Sequence, residues 1–264
     1  MSHTYSKYII SQQAWRRNVA GLLKVLLLSW FFISCEKENL PPGTASLTIV
    51  NATVGSKPLA TNFSIEGPVP YTTGKRLQYN SFSNNANQFN AYAGSQRLRL
   101  FQYPDTAAGD QPLFDLKLDL PVGSISTLFL TGTVSAPDTL FTRDAIPFFA
   151  GGDSAMAIRF VNLSPGSAPI SINIIGLADG SEIASLSFKK SSEFRRYAVR
   201  DGINDYVFEF RDAESGNLLA SYETTGINYK DPNWWIYRSF TLALIGGPGE
   251  TGANTQKAFL ISHY

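Results

Sequence analysis

Nucleophilic and zinc chemistry draw on histidine and cysteine, and this chain is poor in both. Its 264 residues hold two histidines, His3 and His263, and one cysteine, Cys35. One histidine in the body of the chain cannot build a Ser-His-Asp or Cys-His site unless His263 serves. A zinc site of His and Cys is likewise out of reach. His263 follows an apolar pattern at 258–261 and is expected to be a solvated terminal residue. Carboxylates remain. Asp115 and Asp119 share one face of an alternating segment with Lys117, but strand residues four apart stand about 13 Å from each other, too far for a glycosidase pair. Asp201-Gly202-Ile203-Asn204-Asp205 gathers oxygens in a turn without the spacing of a calcium loop. Gly246 to Gly252 lack the Lys-Ser/Thr pair of a phosphate cradle and open no helix. No catalytic residue, metal ligand or cofactor is therefore assigned. The richest cluster is aromatic: in Asn233-Trp234-Trp235-Ile236-Tyr237, strand alternation sends Trp235 and Tyr237 to one face and Trp234 to the other. One face enters the core and the other forms an exposed aromatic strip, so Trp234, Trp235 and Tyr237 are candidate contacts for a glycan or a protein ligand. The competing reading packs the strip against a neighbouring domain.

The chemistry of Cys35 depends on what precedes it. Lys7, Arg16, Arg17 and Lys24 are the charged residues of 1–34, which hold no acid. The apolar run from Val25 to Ile33 is far shorter than the ~20 residues of a spanning helix and reads as the core of an export signal. Phe32-Ile33-Ser34-Cys35 resembles the lipobox of bacterial lipoproteins, which implies acylation of Cys35 and cleavage after Ser34. A thiol used in this way is no longer a hazard in an oxidising compartment, and several acyl chains make membrane attachment stable. Glu36-Lys37-Glu38-Asn39 is similar to the charged stretch after the lipidated cysteine of surface-exposed lipoproteins of Bacteroidota. Residues 35–44, with Pro41-Pro42, form a semi-rigid tether of about 30 Å. The expectation is an outer-membrane, lipid-anchored protein, with the membrane as its partner through Cys35.

Composition narrows the body that such an anchor would hold. The chain is 44% apolar, 13% aromatic and 16% charged, which excludes a disordered polyelectrolyte. Fourteen prolines and 21 glycines argue against a helical bundle. The net charge of +1 averages two regions. Without the four basic residues of 1–34, 18 basic face 21 acidic residues, a body of −3 with no footprint for nucleic acid.

Short strand patterns dominate that body. Phe114, Leu116, Leu118 and Leu120 alternate with Asp115, Lys117 and Asp119, and Tyr206, Phe208 and Phe210 alternate in the same way. Similar runs at 47–50, 63–65, 97–101, 128–130, 158–161, 170–175, 240–245 and 258–261 are separated by Gly, Pro, Asn and Asp, as in a sandwich or barrel. The runs also repeat. Leu47-Thr48-Ile49-Val50-Asn51 corresponds to Ala157 through Asn162, and Leu130-Thr131-Gly132 to Leu244-Ile245-Gly246. The fold class expected is all-β: two tandem immunoglobulin-like β-sandwich domains, 45–144 and 156–264, joined by a linker at 145–155 whose Gly151-Gly152-Asp153-Ser154 forms a hinge.

Arg159-Phe160-Val161-Asn162-Leu163-Ser164-Pro165, followed by Ala168-Pro169 and the alternating Ile170-Ser171-Ile172, resembles the opening of a bacterial domain family of unknown function, number 4397. The copy at Asn51 lacks the Ser-Pro pair. The resemblance covers 45–264 and implies an exported β-sandwich, often found in tandem on lipoproteins, without catalytic residues. The expected role is a non-enzymatic envelope lipoprotein that displays a binding or adhesion module. The alternatives are a structural spacer or assembly component, and a carboxylate-based glycoside hydrolase.

Overall fold

The computed structural model describes residues 43–63, 74–107, 109–230 and 233–263. The export signal at 1–34, Cys35, the tether up to Pro42, and Ile65 lie outside them.

The fold is nearly all β, as the alternation predicts. The first eight strands are β1 (Thr44–Asn51), β2 (Leu59–Asn62), β3 (Arg76–Leu77), β4 (Gln88–Tyr92), β5 (Gly94–Gln102), β6 (Phe114–Leu120), β7 (Ile125–Gly132) and β8 (Pro137–Arg143). The second eight are β9 (Ala155–Asn162), β10 (Ile170–Ile174), β11 (Ile183–Leu186), β12 (Arg195–Ala198), β13 (Val207–Asp212), β14 (Leu218–Glu223), β15 (Ser239–Ile245) and β16 (Lys257–Ser262). β2 ends at Asn62, so Phe63 lies outside it, and the rest of the run expected at 63–65 falls outside the described residues. A single helical turn at Asn84–Asn87 is capped by Ser83, whose hydroxyl accepts from the Ala86 N–H.

The strands form four sheets, and the second eight repeat the order of the first. Sheet β4-β1-β7-β8 corresponds to β12-β9-β15-β16, and β3-β2-β5-β6 to β11-β10-β13-β14. In each half the first strand pairs parallel with the seventh, β1 with β7 and β9 with β15. The sandwich architecture holds, with a strand order that differs from the A-B-E-D and C-F-G sheets of an immunoglobulin constant domain.

Side-chain bonds repeat as well. The buried Asn51 amide donates to Ser56 Oγ (3.0 Å) and to the Leu77 carbonyl (3.3 Å), and its oxygen accepts from the Thr53 N–H at 3.1 Å. Asn162 donates to Ser167 Oγ (3.1 Å) and to the Leu186 carbonyl (3.2 Å), and accepts from the Ser164 N–H at 3.1 Å. Each asparagine thus ties the end of an inner strand to the outer sheet. Gly132 and Gly246 repeat a third feature. Both adopt positive φ (74° and 83°), and a Cβ at either would collide with a backbone carbonyl, that of Ala136 or Thr255.

Three large buried cores follow from this order, with Ala60 and Phe101 as a small fourth cluster. Leu47, Ile49, Leu128 and Leu130 face Leu59, Leu98, Leu100 and Phe114 inside the first sandwich. Ile158, Phe160, Leu242 and Leu244 face Ile172, Phe208 and Phe210 inside the second. The third core joins the two halves: Val50 and Phe129 pack with Val161, Leu163, Ala243, Ile245, Phe259 and Ile261. The sheets containing β1 and β9 are therefore covered on both faces, and Ser239–Ile245 is buried at every position. A strand covered on both sides needs no charged face, so β15 carries Ser239, Thr241, Ala243 and Ile245 on the face where β6 carries charged residues.

This shared core is at odds with the hinge expected at Gly151–Ser154. Pro42–Tyr264 form one compact unit. The connecting loop is itself a closed turn, in which the Asp153 N–H donates to the Ala150 carbonyl at 3.0 Å and the Asp153 carboxylate accepts from the Ala150 N–H at 3.0 Å.

Candidate functional site

The aromatic segment folds as a turn, not a strand. Asn233 is the cause: its amide donates to the carbonyls of Ile227 (3.0 Å) and Tyr229 (2.9 Å), and its oxygen accepts from the Trp235 N–H at 2.9 Å. The side chain closes the loop on itself, and period-two alternation no longer applies. Trp235 turns inward, 4% exposed, within the core of the second sandwich, and its indole N–H donates to the Thr225 carbonyl at 2.9 Å. It lies neither on an exposed strip nor between the sandwiches. Trp234 is 45% exposed, with one side on Phe240 (ring centroids 4.8 Å apart) and the Arg238 guanidinium 5.7 Å from its ring. Tyr237 is 43% exposed and has a left-handed backbone, φ 60°. Its N–H donates to the Ala155 carbonyl at 2.8 Å, and its hydroxyl accepts from the Gly152 N–H at 3.1 Å. Two bonds on opposite ends of the residue fix the ring.

Tyr237 belongs to a surface group that sequence reasoning missed. The Phe149 ring lies 6.5 Å from the Tyr237 ring, tilted by 59°, and the Arg196 guanidinium stands 4.9 Å from the Phe149 centroid. Arg196 also donates to the Phe148 carbonyl and, at 3.0 Å, to the Asp153 carboxylate. The Phe148 ring is 82% exposed, the most open of the large apolar side chains described. Its signal in the sequence was a pair of adjacent phenylalanines in a Pro- and Gly-rich connection, where no strand needs them. Beside this group a cavity of about 400 Å³ runs between Gly152–Ala155 and the Arg196–Ala198 stretch of β12, with Arg200 on its lining.

The carboxylates at the surface cavities are each paired with an arginine. The three cavities beside Asp115, Asp119 and Asp153 each carry one carboxylate. All three are paired, with Arg97 (2.8 Å), Arg143 (3.6 Å) and Arg196 (3.0 Å). The Arg97 hydrogen bond lowers the pKa of Asp115, and the Ala150 N–H and then Arg196 lower that of Asp153. A general acid needs the opposite shift. In the turn considered for calcium, Asp201 pairs with Lys230 at 3.2 Å and Asp205 accepts from the Ile227 N–H at 2.9 Å. No group of three or more His, Cys, Asp and Glu among the described residues is placed to hold a metal.

His263 is 5% exposed, not the solvated end residue expected. Its Nε2 lies 2.6 Å from Thr241 Oγ1, and its ring meets Phe194 edge-on with centroids 5.7 Å apart. Thr241 in turn accepts from Arg159 Nε at 2.7 Å. Burial, then the nearby Arg159 charge, depress the His263 pKa to about 4, against a smaller opposing pull from Asp144. This network faces the seam between the sandwiches.

No protein-family model matches the chain, and no curated protein matches it. Among solved structures, a crystal structure described as that of "a putative adhesin from Bacteroides ovatus" is similar, at 11% identity over 81% of this chain and 91% of that one, with a TM-score of 0.21. Likeness at that level carries no argument about this chain. No helix among the described residues is long and apolar enough to cross a membrane.

Proposed function

We propose that this chain is a non-enzymatic binding or adhesion module of the cell envelope, anchored in the outer membrane by lipid on Cys35. The resemblance of residues 159–172 to domain family 4397 belongs to the same reading. The observation that carries it is the surface group of exposed Phe148, Tyr237 and Arg196 around half-buried Phe149, held in place by hydrogen bonds on a double sandwich. Aromatic and arginine side chains are the usual energetic anchors of binding surfaces, and a rigid support limits the entropy lost on binding. Trp234 adds a half-exposed indole three residues from Tyr237. A second reading, a structural spacer or assembly component, is favoured by the core shared between the sandwiches, which makes the unit stiff.

Binding of full-length protein to glycan arrays and to extracellular-matrix proteins separates these readings. Display for adhesion predicts a retained ligand whose binding falls when Phe148→Ala and Tyr237→Leu are combined. Equal retention by wild type and variant would remove this surface from the argument. The anchor is tested separately: Cys35→Ala is expected to release the protein from the membrane fraction and to block its maturation. Normal processing and membrane retention of that variant would refute lipidation.

A further inference from the structure

The exposed apolar side chains of this molecule are gathered at one end. β1 pairs parallel with β7, and β9 with β15. Across the seam, Arg159 donates to Thr127 Oγ1 at 3.4 Å and Thr131 Oγ1 donates to the Leu163 carbonyl at 2.8 Å. β7 and β9 thus advance in step, and all four inner strands run the same way. The loops that precede them share one end, where Gly43 brings the chain in from the side of Cys35. We propose that this end seats on the lipid bilayer to which Cys35 is bound, so that the partner of the Phe148 and Tyr237 surface is the membrane. The inference rests on the reading of this surface as a binding surface and of Cys35 as lipidated.

Three features support it. The first is distribution. Of the nine large apolar side chains exposed among the described residues, eight stand in loops and strand ends here, and Leu218 is the exception. Val122, 73% exposed, neighbours the start of β1, where the Gly123 N–H donates to the Thr44 carbonyl at 2.8 Å, and Tyr92 is paired with Thr44. Phe148 precedes β9, and Tyr229, Trp234 and Tyr237 precede β15. Ile175 and Leu177 follow β10 beside the start of β13, with the Ile175 N–H donating to the Val207 carbonyl at 3.0 Å. That start is at the same end, since Tyr206 donates its hydroxyl to the Ala198 carbonyl at 3.2 Å and Ala198 pairs with Ala155. Single exposed apolar residues are ordinary, whereas their gathering on one face marks an interaction surface.

The second feature is the tether. Cys35 lies eight residues before Gly43, about 25 Å of extended chain. β1 alone has eight residues, about 26 Å of strand. A tether of that reach brings this end to the bilayer, and would have to run the whole length of the body before the opposite end could touch it.

The third is chemistry. Val122 and Phe148 are wholly apolar, while Tyr229, Trp234 and Tyr237 carry a polar group on an apolar ring, which suits the boundary between headgroups and acyl chains. Arg200 and Arg238 are exposed long side chains that can hold their guanidinium groups at headgroup level. Other charges here are matched, Arg143 with Asp119, Arg196 with Asp153 and Lys230 with Asp201. Seating is therefore driven by apolar contact and does not require anionic lipid.

The test reconstitutes the cell-processed protein in phosphatidylcholine vesicles. Acylation of Cys35, the one cysteine of the chain, leaves Val122→Cys, Phe148→Cys or Leu218→Cys as the sole free thiol for an environment-sensitive fluorophore. All three positions are exposed, so the thermal unfolding midpoints are expected to stay at the wild-type value. Labels at 122 and 148 are expected to be quenched several-fold more by nitroxide-bearing lipid than the label at 218, which begins β14 at the opposite end. Equal, weak quenching at all three positions on protein that floats with the vesicles would overturn the bilayer inference and leave the anchor and the binding surface standing. Shielding of 122 and 148 by a glycan or matrix protein, with no effect of the lipid quencher, would also overturn it and give the surface to that ligand. Protein that fails to float would overturn the anchor and this inference together.

Discussion

The Arg159 guanidinium donates to the Asp144 carboxylate at 2.6 Å across the seam between the two sandwiches, with side chains 5% and 0% exposed. Thr127 and Thr142 donate to the same carboxylate at 2.5 and 2.8 Å. The pair is thus fully hydrogen-bonded, the condition under which a buried ion pair is tolerated. Removing one partner leaves the other charged and dry. Asp144→Ala is expected to cost about 3–5 kcal/mol in urea unfolding, whereas the double change Asp144→Leu with Arg159→Met costs much less. Equal losses in both variants would show that the ion pair itself, not its half-broken state, governs stability.

His263 makes the same seam sensitive to acid. Its folded pKa is about 4 and its unfolded value about 6.5. Between those values the unfolded chain binds the proton and the folded one does not, so stability falls as pH drops through that window and levels off below it. The loss attributable to this residue reaches about 3 kcal/mol. Unfolding free energies measured from pH 7 to pH 4 should fall less steeply in His263→Gln than in wild type.

Trp234 and Trp235 should differ in how much their loss costs. Trp235→Ala opens a cavity in the second core and is expected to cost about 3–5 kcal/mol. Trp234→Ala removes a half-exposed ring and should cost about 1 kcal/mol or less. Thermal unfolding of both variants measures this directly, and it also means that lost ligand binding in Trp235→Ala would report on folding.

Asn51 and Asn162 occupy equivalent places, so Asn51→Ala and Asn162→Ala should each destabilise by about 1–3 kcal/mol through lost buried hydrogen bonds. A large difference between the two would mean that the halves no longer use the shared geometry for stability.

Gly246→Ala should be destabilising by about 1 kcal/mol or more, from its positive φ and the Thr255 carbonyl. Gly151→Ala meets open space and should stay within about 0.5 kcal/mol of wild type.

The alternation of Phe114 through Leu120 was readable because one face of β6 meets water: Asp115, Lys117 and Asp119 are exposed while Phe114, Leu118 and Leu120 are buried. The equivalence of Asn51 and Asn162 was readable because inner strands and their caps recur in register. The seam was not. Arg159 and Thr241 are polar residues between apolar neighbours, and Thr127 follows another polar residue, Ser126, patterns that a solvated face also gives. A polar residue satisfied by another sheet cannot be told from one satisfied by water without knowing what lies opposite. The aromatic segment failed for a different reason. The bonds of Asn233 override period two, and nothing in Trp234–Tyr237 themselves announces a turn. Phe148 and Phe149 were hidden inside a stretch read as a linker.

Because the sheets around β1 and β9 press on each other, duplication here did not yield two interchangeable beads on a string. Each copy gave up one of its broad faces to its sister, so a visiting molecule is left with the two far sheets, the strand borders and the loop ends.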